Sequence, residues 1–596
     1  MSIQYTLYPS NPAAHIFMVT VFVEHPNPEG QVLSLPTWIP GSYMIREFSK
    51  NIVELKAKVG TETIPVQQTS KNTWLVQSGG QPFVVEYQVY AWDLSVRMAH
   101  LDQTHGYCNG TSIFLEVQGQ SESLHRVLLQ SPSDPLCVDW RVATTLQHVG
   151  EQGAFGWYEA QNHDELIDHP IEMGTFENLT FDACGVPHEI AVTGDVRFDR
   201  QQLLADLQVI CETEIKFFGK PAPMERYLFQ VMAVGSGYGG LEHRASTSLV
   251  CSKNSLPWGE KRSEEYIQFL GLCSHEYFHT WNVKRIKPAA YLPYDLNTEA
   301  YTTLLWVFEG WTSYYDDLIL LRSGLISTKQ YLKMLGKTIT RVYKGSALHK
   351  QSLADSSFTT WTKFYRQDEN APNAVVSYYA KGALAALALD LHIRQETNHQ
   401  KSLDDVMKAL WTEYGAKNIG VPEDGVERLA EQITGLDLQS WFDAVVRGVG
   451  ELPLEELLGS VGIEMHVRAP SSYSDAGGVD SQKTIDVHLG CTFSKSPEGA
   501  KIRNVFDNGV AQKAGLSAGD VLLALDGIKT TSGNVSQLLE RYAVGDQVKA
   551  HFFRRDELHE RTLTLDSAPF KAYFLVIDSG AADEANQRRE QWLLGQ

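Results

Sequence analysis

The sequence predicts an α+β protein of several domains, and three observations carry that expectation. Short alternating apolar runs broken by Pro, Gly and Asn fill residues 1–178, long apolar and charged mixtures fill the middle to about 450, and strand-like runs return beyond about 453. At 596 residues the chain exceeds a single hydrophobic core, and its length suggests roughly three to five domains. With 43% hydrophobic and 21% charged residues, disordered and collagen-like readings are excluded. The formal charge of -21 repels nucleic acid and anionic membrane. Seven cysteines, an odd number without a CxxC pair, argue against a disulfide framework. No secretory signal is visible, and no window approaches 18 uncharged apolar residues, so the expected location is the cytoplasm.

The first region, with IFMVTVFVE from residue 16 and VVEYQVYAW from residue 84, reads as a β-sandwich. After EIAVTG, Asp199 is placed to cap a helix whose Leu203, Leu204, Leu207 and Ile210 recur at helical spacing. The strand-like YLFQVMAV (227–234) runs into the glycine-rich GSGYGGLEHRAS, and helices are expected from Ser263 to about Val283 and from Thr298 to Leu321. The stretch to about 450, including YYAKGALAALALDLHIRQ, reads as helical. The run NVFDNGVAQKAGLSAGDVLLALDG (504–527) resembles the core of a PDZ domain. The last fifteen or so residues are charged and read as a surface helix or a frayed tail.

His275, Glu276 and His279 form an HExxH motif inside the first of those two helices. Four residues is just over one turn, so both imidazoles leave one face and Glu276 stands beside them. That geometry suits zinc hydrolysis, in which the dication lowers the pKa of water towards about 7 and a carboxylate removes its proton. A chain of this composition would hold on the order of 0.04 such motifs by chance, so the motif is signal. His188-Glu189 and His559-Glu560 lack the second histidine and read as surface or structural pairs. A catalytic zinc needs a third protein ligand, and two downstream glutamates compete for that place: Glu299 and Glu309. Ten residues of helix would set them on roughly opposite faces, so one alone should face the metal.

The segments GGLEH (239–243), HEYFHTWNVKRIKP (275–288), LLWVFEGWTSYYDD (304–317) and SYYAKGAL (377–384) resemble the glycyl aminopeptidase family of gluzincin zinc metallopeptidases. TWIPGSYMIREFSKNI (37–52) and CNGTSIFLE (108–116) are similar to its leading β domain, so the resemblance spans essentially the whole chain. It implies a β-sandwich over 1–178, a thermolysin-like catalytic domain over 179–342, a helical domain over 343–452 that completes the cleft, a PDZ domain over 453–577 and a tail over 578–596. It implies one Zn2+ per chain, with Glu309, in its Glu-Gly context, as the third ligand. Glu242 would hold the substrate's free amine from a strand that includes Gly239 and Gly240, although His243 stands where relatives have Asn. Tyr379 would donate a hydrogen bond to the developing oxyanion, a role its neighbour Tyr378 cannot share on a helix.

Lys284, Arg285 and Lys287 could hold a peptide carboxylate or neutralise Asp295, but basic residues at a helix end are ordinary structure. In the PDZ region, Leu489, Gly490, Cys491 and Phe493 are candidates for the loop and strand that capture a peptide, unless the chain fills its own groove. The expected activity is zinc-dependent removal of an N-terminal Gly or Ala from peptides with a free amino terminus. An endopeptidase of the same chemistry and a catalytically retired PDZ scaffold are the alternatives.

Overall fold

Strict alternation builds the first layer of the computed structural model, which describes residues 2–150 and 153–595. The strands Ser2–Asn11, Ile16–Val23 and Phe83–Tyr90 bury every second side chain. Ile3, Tyr5 and Leu7 turn inward with Val19, Val21, Val85 and Tyr87. A one-residue slip would send that whole apolar set to solvent, which fixes the register. These strands form the middle of an eight-stranded sheet, and two four-stranded sheets share one hydrophobic core with it. This is the sandwich that the alternating runs predict.

Contacts divide the chain into two units, Met1–Ala300 with Trp411–Gly420, and Tyr301–Leu410 with Val421–Gln596. The first unit continues past the sandwich into a five-stranded sheet. Its hairpin, Glu177–Ala183 and Val186–Thr193, leads through the helix Arg200–Phe218 to the parallel strand Tyr227–Val234. Asp199 caps that helix, accepting from the Gln202 N–H at 3.0 Å, and Leu203, Leu207 and Ile210 are buried. The strand Tyr238–Glu242 ends the sheet, pairing with Ser246–Ser252.

The next helix starts where expected, and Ser263 caps it, its Oγ accepting from the Tyr266 N–H at 3.1 Å. It ends at Phe278, five residues short of the expected Val283. Arg285 explains the early stop: its guanidinium donates to the Thr280, Arg244 and Pro223 carbonyls, holding the chain in turns where a helix would continue.

The second unit is helical before it is stranded. Thr298–Leu321 is not one helix: the chain is irregular through Thr303, then forms a π-helical segment, Trp306–Trp311, followed by the α-helix Thr312–Arg322. Glu423, distant in sequence, sets the start by accepting from the Thr302 hydroxyl at 2.7 Å and the Thr303 N–H at 2.8 Å. The helices Thr328–Tyr343, Ala380–Glu396 and Gly425–Thr434 follow. Ile463–Arg468 and Ala572–Ile577 pair antiparallel, and between them lies the sheet of the PDZ region, with Cys491–Lys495 at its end. The charged C-terminal segment forms the helix Asp583–Leu594 and does not fray: Trp592 is buried, and its Nε1–H donates to Tyr314 Oη at 2.8 Å. All seven cysteines are free. Among the described residues no helix is long and apolar enough to cross a membrane.

Candidate active site

The HExxH residues lie at the end of the helix Glu264–Phe278 in the first unit. His275 and His279 share a face, with ring centroids 4.6 Å apart and planes at 88°, and a ring nitrogen of each lies within 4.8 Å of the other. His279 Nδ1 is 2.6 Å from the Asn282 carbonyl oxygen. A carbonyl can only accept, so the proton sits on Nδ1 and the Nε2 lone pair is left for a cation. The pair therefore fits a divalent metal by its chemistry as well as its spacing. Behind the helix, the Ser274 hydroxyl donates to Glu214 Oε1 at 2.9 Å. The Tyr277 hydroxyl lies 2.9 Å from Nε2 of the buried His188, so His188 braces the motif.

Glu242 and Glu276 are both buried, and each brings a carboxylate oxygen within 4.8 Å of the other and of a His279 nitrogen. This crowding depends on missing side chains. A Cβ on Gly240 would overlap Glu276 Oε1, and one on Gly41 would overlap Glu242 Oε1. Gly41 also has φ +99°, a conformation that L side chains rarely adopt. Gly239, by contrast, has open space where a Cβ would stand. Gly41 and its neighbours are absent from the site that sequence reasoning assembled. Arg97 Nε and Arg46 Nη2 both donate to Ser42 Oγ, at 3.0 and 2.7 Å, and Arg97 Nη2 reaches the Gly240 carbonyl at 3.4 Å. The available signal was Gly41 and Ser42 after Pro40 in TWIPGSYMIREF, a turn-like sequence inside an otherwise apolar run.

His243 is buried with its Nδ1 3.0 Å from Asp168 Oδ1. Asp168 also accepts from Lys284 Nζ at 2.8 Å and Arg244 Nε at 3.0 Å. Burial would raise the Asp168 carboxyl, but Lys284, His243 and Arg244 hold it well below the usual carboxylate range. Lys284 thus neutralises Asp168, and Asp295 is not its partner. Lys287 lies over the Tyr294 ring at 4.6 Å, and burial lowers its pKa to about 8.

In the second unit, Glu309 sits in the π-helical segment Trp306–Trp311 and is 2% exposed. Segments of this kind occur mostly as single-turn bulges and are frequent at functional sites. Gly310 makes the packing possible, since a Cβ there would stand 2.6 Å from Gly382 Cα on the helix Ala380–Glu396. Glu299 is exposed on irregular chain, so the expected opposite-face relation between the two glutamates does not arise. Tyr378 is buried with its hydroxyl 2.9 Å from Thr360 Oγ1, and burial pushes its pKa well above that of a free phenol. Tyr379, at the start of the helix, is half-buried, stacks on Phe364 at 5.4 Å and lies 3.3 Å from the Tyr365 hydroxyl. Tyr378 is thus the satisfied core tyrosine and Tyr379 the more open one.

In the PDZ region Leu489 and Cys491 are buried, Phe493 is half-buried and Gly490 has φ +68° against Gly509. The Leu489 N–H donates to Tyr473 Oη at 2.7 Å and the Gly490 N–H to His488 Nδ1 at 2.8 Å, while the Tyr473 and His488 rings stack at 4.0 Å.

Comparison with known proteins gives the Peptidase M61 N-terminal domain over residues 4–175, M61 glycyl aminopeptidase over 268–385 and a PDZ domain over 487–565. The crystal structure of an aminopeptidase N family protein from Idiomarina loihiensis is 42% identical, with a TM-score of 0.95, and the alignment covers 99% of this chain and 100% of that one. The chain belongs to the M61 glycyl aminopeptidase family. An M1 zinc metallopeptidase from Deinococcus radiodurans aligns at 14% identity and a TM-score of 0.46, over 76% of this chain and 95% of that one. No curated protein sequence matches. As a glycyl aminopeptidase family member, the protein is a metallopeptidase, and His275, Glu276 and His279 all lie within the family's matched segment.

Proposed function

We propose that this metallopeptidase removes the N-terminal residue from peptides, preferring Gly or Ala, with one zinc ion held by His275, His279 and Glu309. The observation that carries the reading is the meeting of Glu242 and Glu276 with His279 in one buried cluster, which supplies an anionic place for an amine beside a carboxylate base. Two histidines and a glutamate are donors of the kind a catalytic zinc takes. Zinc, when bound, supplies Lewis acidity that polarises the scissile carbonyl and acidifies water.

Glu276 takes the proton of the attacking water and returns it to the departing amine. Glu242 pairs with the substrate's ammonium and closes the site to longer upstream chain. Gly239 and Gly240, on the end strand of their sheet, offer backbone groups to an extended peptide. Tyr379 donates to the oxygen as it gains negative charge, a contribution largest in a dry site. The test is turnover of aminoacyl reporter substrates before chelation, after it and after zinc is restored. Activity that survives complete metal removal overturns the reading, and equal cleavage of free and acetylated peptides turns it into an endopeptidase.

For the PDZ region, the groove at Leu489, Gly490, Cys491 and Phe493 takes a peptide C-terminus, and Tyr473 keeps it closed. The bond from the Leu489 N–H to the Tyr473 hydroxyl supports this, because it occupies an amide suited to a terminal carboxylate.

A further inference from the structure

Asp168 belongs to the first unit and directly follows the short helix His163–Ile167. It is buried, and its oxygens share three donors: Lys284 Nζ at 2.8 Å and His243 Nδ1 at 3.0 Å on Oδ1, and Arg244 Nε at 3.0 Å on Oδ2. A carboxylate only accepts, so the His243 proton is on Nδ1. His243 Nε2 is buried without a hydrogen-bond partner among the described residues, which leaves the Asp168 bond to orient the ring.

Two of these donors carry the hold of the carboxylate to different parts of the peptidase centre, both within the first unit. Lys284 lies in the turn after the helix Glu264–Phe278: its N–H donates to the His279 carbonyl at 3.0 Å, and two residues earlier the Asn282 carbonyl accepts from His279 Nδ1 at 2.6 Å. Anchoring the Lys284 ammonium therefore anchors the turn whose carbonyl directs the His279 ring. His243 directly follows Glu242, and its N–H closes the hairpin on the Ser246 carbonyl at 2.9 Å. Anchoring its ring anchors the end of the strand Tyr238–Glu242. Arg285 ties the two arms together, since Nη1 donates to the Arg244 carbonyl at 3.0 Å and to the Thr280 carbonyl at 2.7 Å. Glu242 brings a carboxylate oxygen within 4.8 Å of a His279 nitrogen, so a small rotation of either arm changes how the two meet.

We propose that Asp168 is a positioning residue for the peptidase centre, setting His279 through Lys284 and Glu242 through His243. The assignment rests on the aminopeptidase reading above. Two measurements separate the arms: zinc affinity by competition with a chelator and, at saturating zinc, the ratio of kcat/KM for free over acetylated trialanine. Lys284→Met should weaken zinc binding by about tenfold and leave the ratio near its wild-type value. His243→Phe should lower the ratio by about tenfold and leave zinc affinity near its wild-type value. His243→Asn, whose amide nitrogen can stand where Nδ1 does, should recover most of the ratio. Asp168→Asn, which turns amide hydrogens toward buried cations, should lose on both measurements.

Wild-type zinc affinity in Lys284→Met, or a wild-type ratio in His243→Phe, overturns the assignment. Equal loss on both measurements in each single-arm variant, together with a lower melting temperature, would mean general loosening and overturn it as well. A wild type that takes up no zinc, or that cleaves free and acetylated trialanine alike, sinks the aminopeptidase reading instead.

Discussion

Two regions of this protein have the means to meet peptides, and they hold their polar groups in opposite ways. Around His275 and His279, side chains are removed so that carboxylates can crowd together: Gly41 and Gly240 leave the space that Glu242 and Glu276 fill. In the PDZ region the polar groups are backbone amides, and the chain's own Tyr473 and His488 already bond them. Crowded like charges make a site that gains when a cation or ammonium arrives. Capped amides make a site that a ligand must first uncover.

The largest effect should come from Glu276→Gln, which removes the base but keeps the shape. Turnover of an aminoacyl reporter should fall by about a hundredfold or more while zinc content stays at the wild-type level. Retained turnover would mean the crowded carboxylates are not the working ones. Gly240→Ala attacks the same crowding from the other side. Its methyl would displace the Glu276 carboxylate, so kcat should drop by about a hundredfold in a protein that still binds zinc, and a near-normal kcat would show that Glu276 tolerates displacement. Glu242→Ala should chiefly erase the preference for free over acetylated amino termini. An unchanged ratio would remove Glu242 from amine recognition.

The contrast sharpens in the PDZ region with Tyr473→Phe, which keeps the ring and deletes the hydroxyl. Removing the acceptor of a buried N–H should cost about 1–3 kcal/mol of stability. Fluorescence anisotropy with a C-terminal peptide should then show tighter binding to the full chain than in the wild type. Equal binding would mean that Tyr473 does not close the groove.

The smallest effect concerns pH. An unfolded Asp titrates near about 3.9, and Asp168 titrates well below that when folded. Its stabilising contribution is therefore complete above the unfolded value and lost as pH falls through the folded one. Urea midpoints of wild type and Asp168→Asn should differ at neutral pH and converge only in strong acid.

The HExxH motif was legible because its meaning lies in a spacing of four residues, which any regular helix converts into geometry. Asp199 was legible as a cap for the same local reason. The irregular start before Trp306 was not, since the acceptor for Thr302 and Thr303 is Glu423, more than a hundred residues away. Nor was the early end of the metal helix, which depends on the carbonyls that Arg285 reaches after folding. Gly41 stayed hidden because a glycine shows its purpose only when the side chain it makes room for arrives from elsewhere in the chain. Tyr378 and Tyr379 are adjacent letters in the sequence, and only burial tells them apart.

Ile463–Arg468 and Ala572–Ile577 run side by side in unbroken register, from Ile463 opposite Ile577 to Arg468 opposite Ala572. Everything the PDZ region contains enters and leaves through that two-stranded stem. Joining Arg468 to Ala572 with a tight turn would convert the stem into an ordinary hairpin and leave the helices Thr328–Tyr343 and Ala380–Glu396 uncut. The PDZ region is thus an insertion whose chain enters and leaves at one place, yet exchanging it would also break the bonds from Asn373 Nδ2 to the Val505 carbonyl at 2.7 Å and from Asn504 Nδ2 to the Glu369 carbonyl at 3.0 Å.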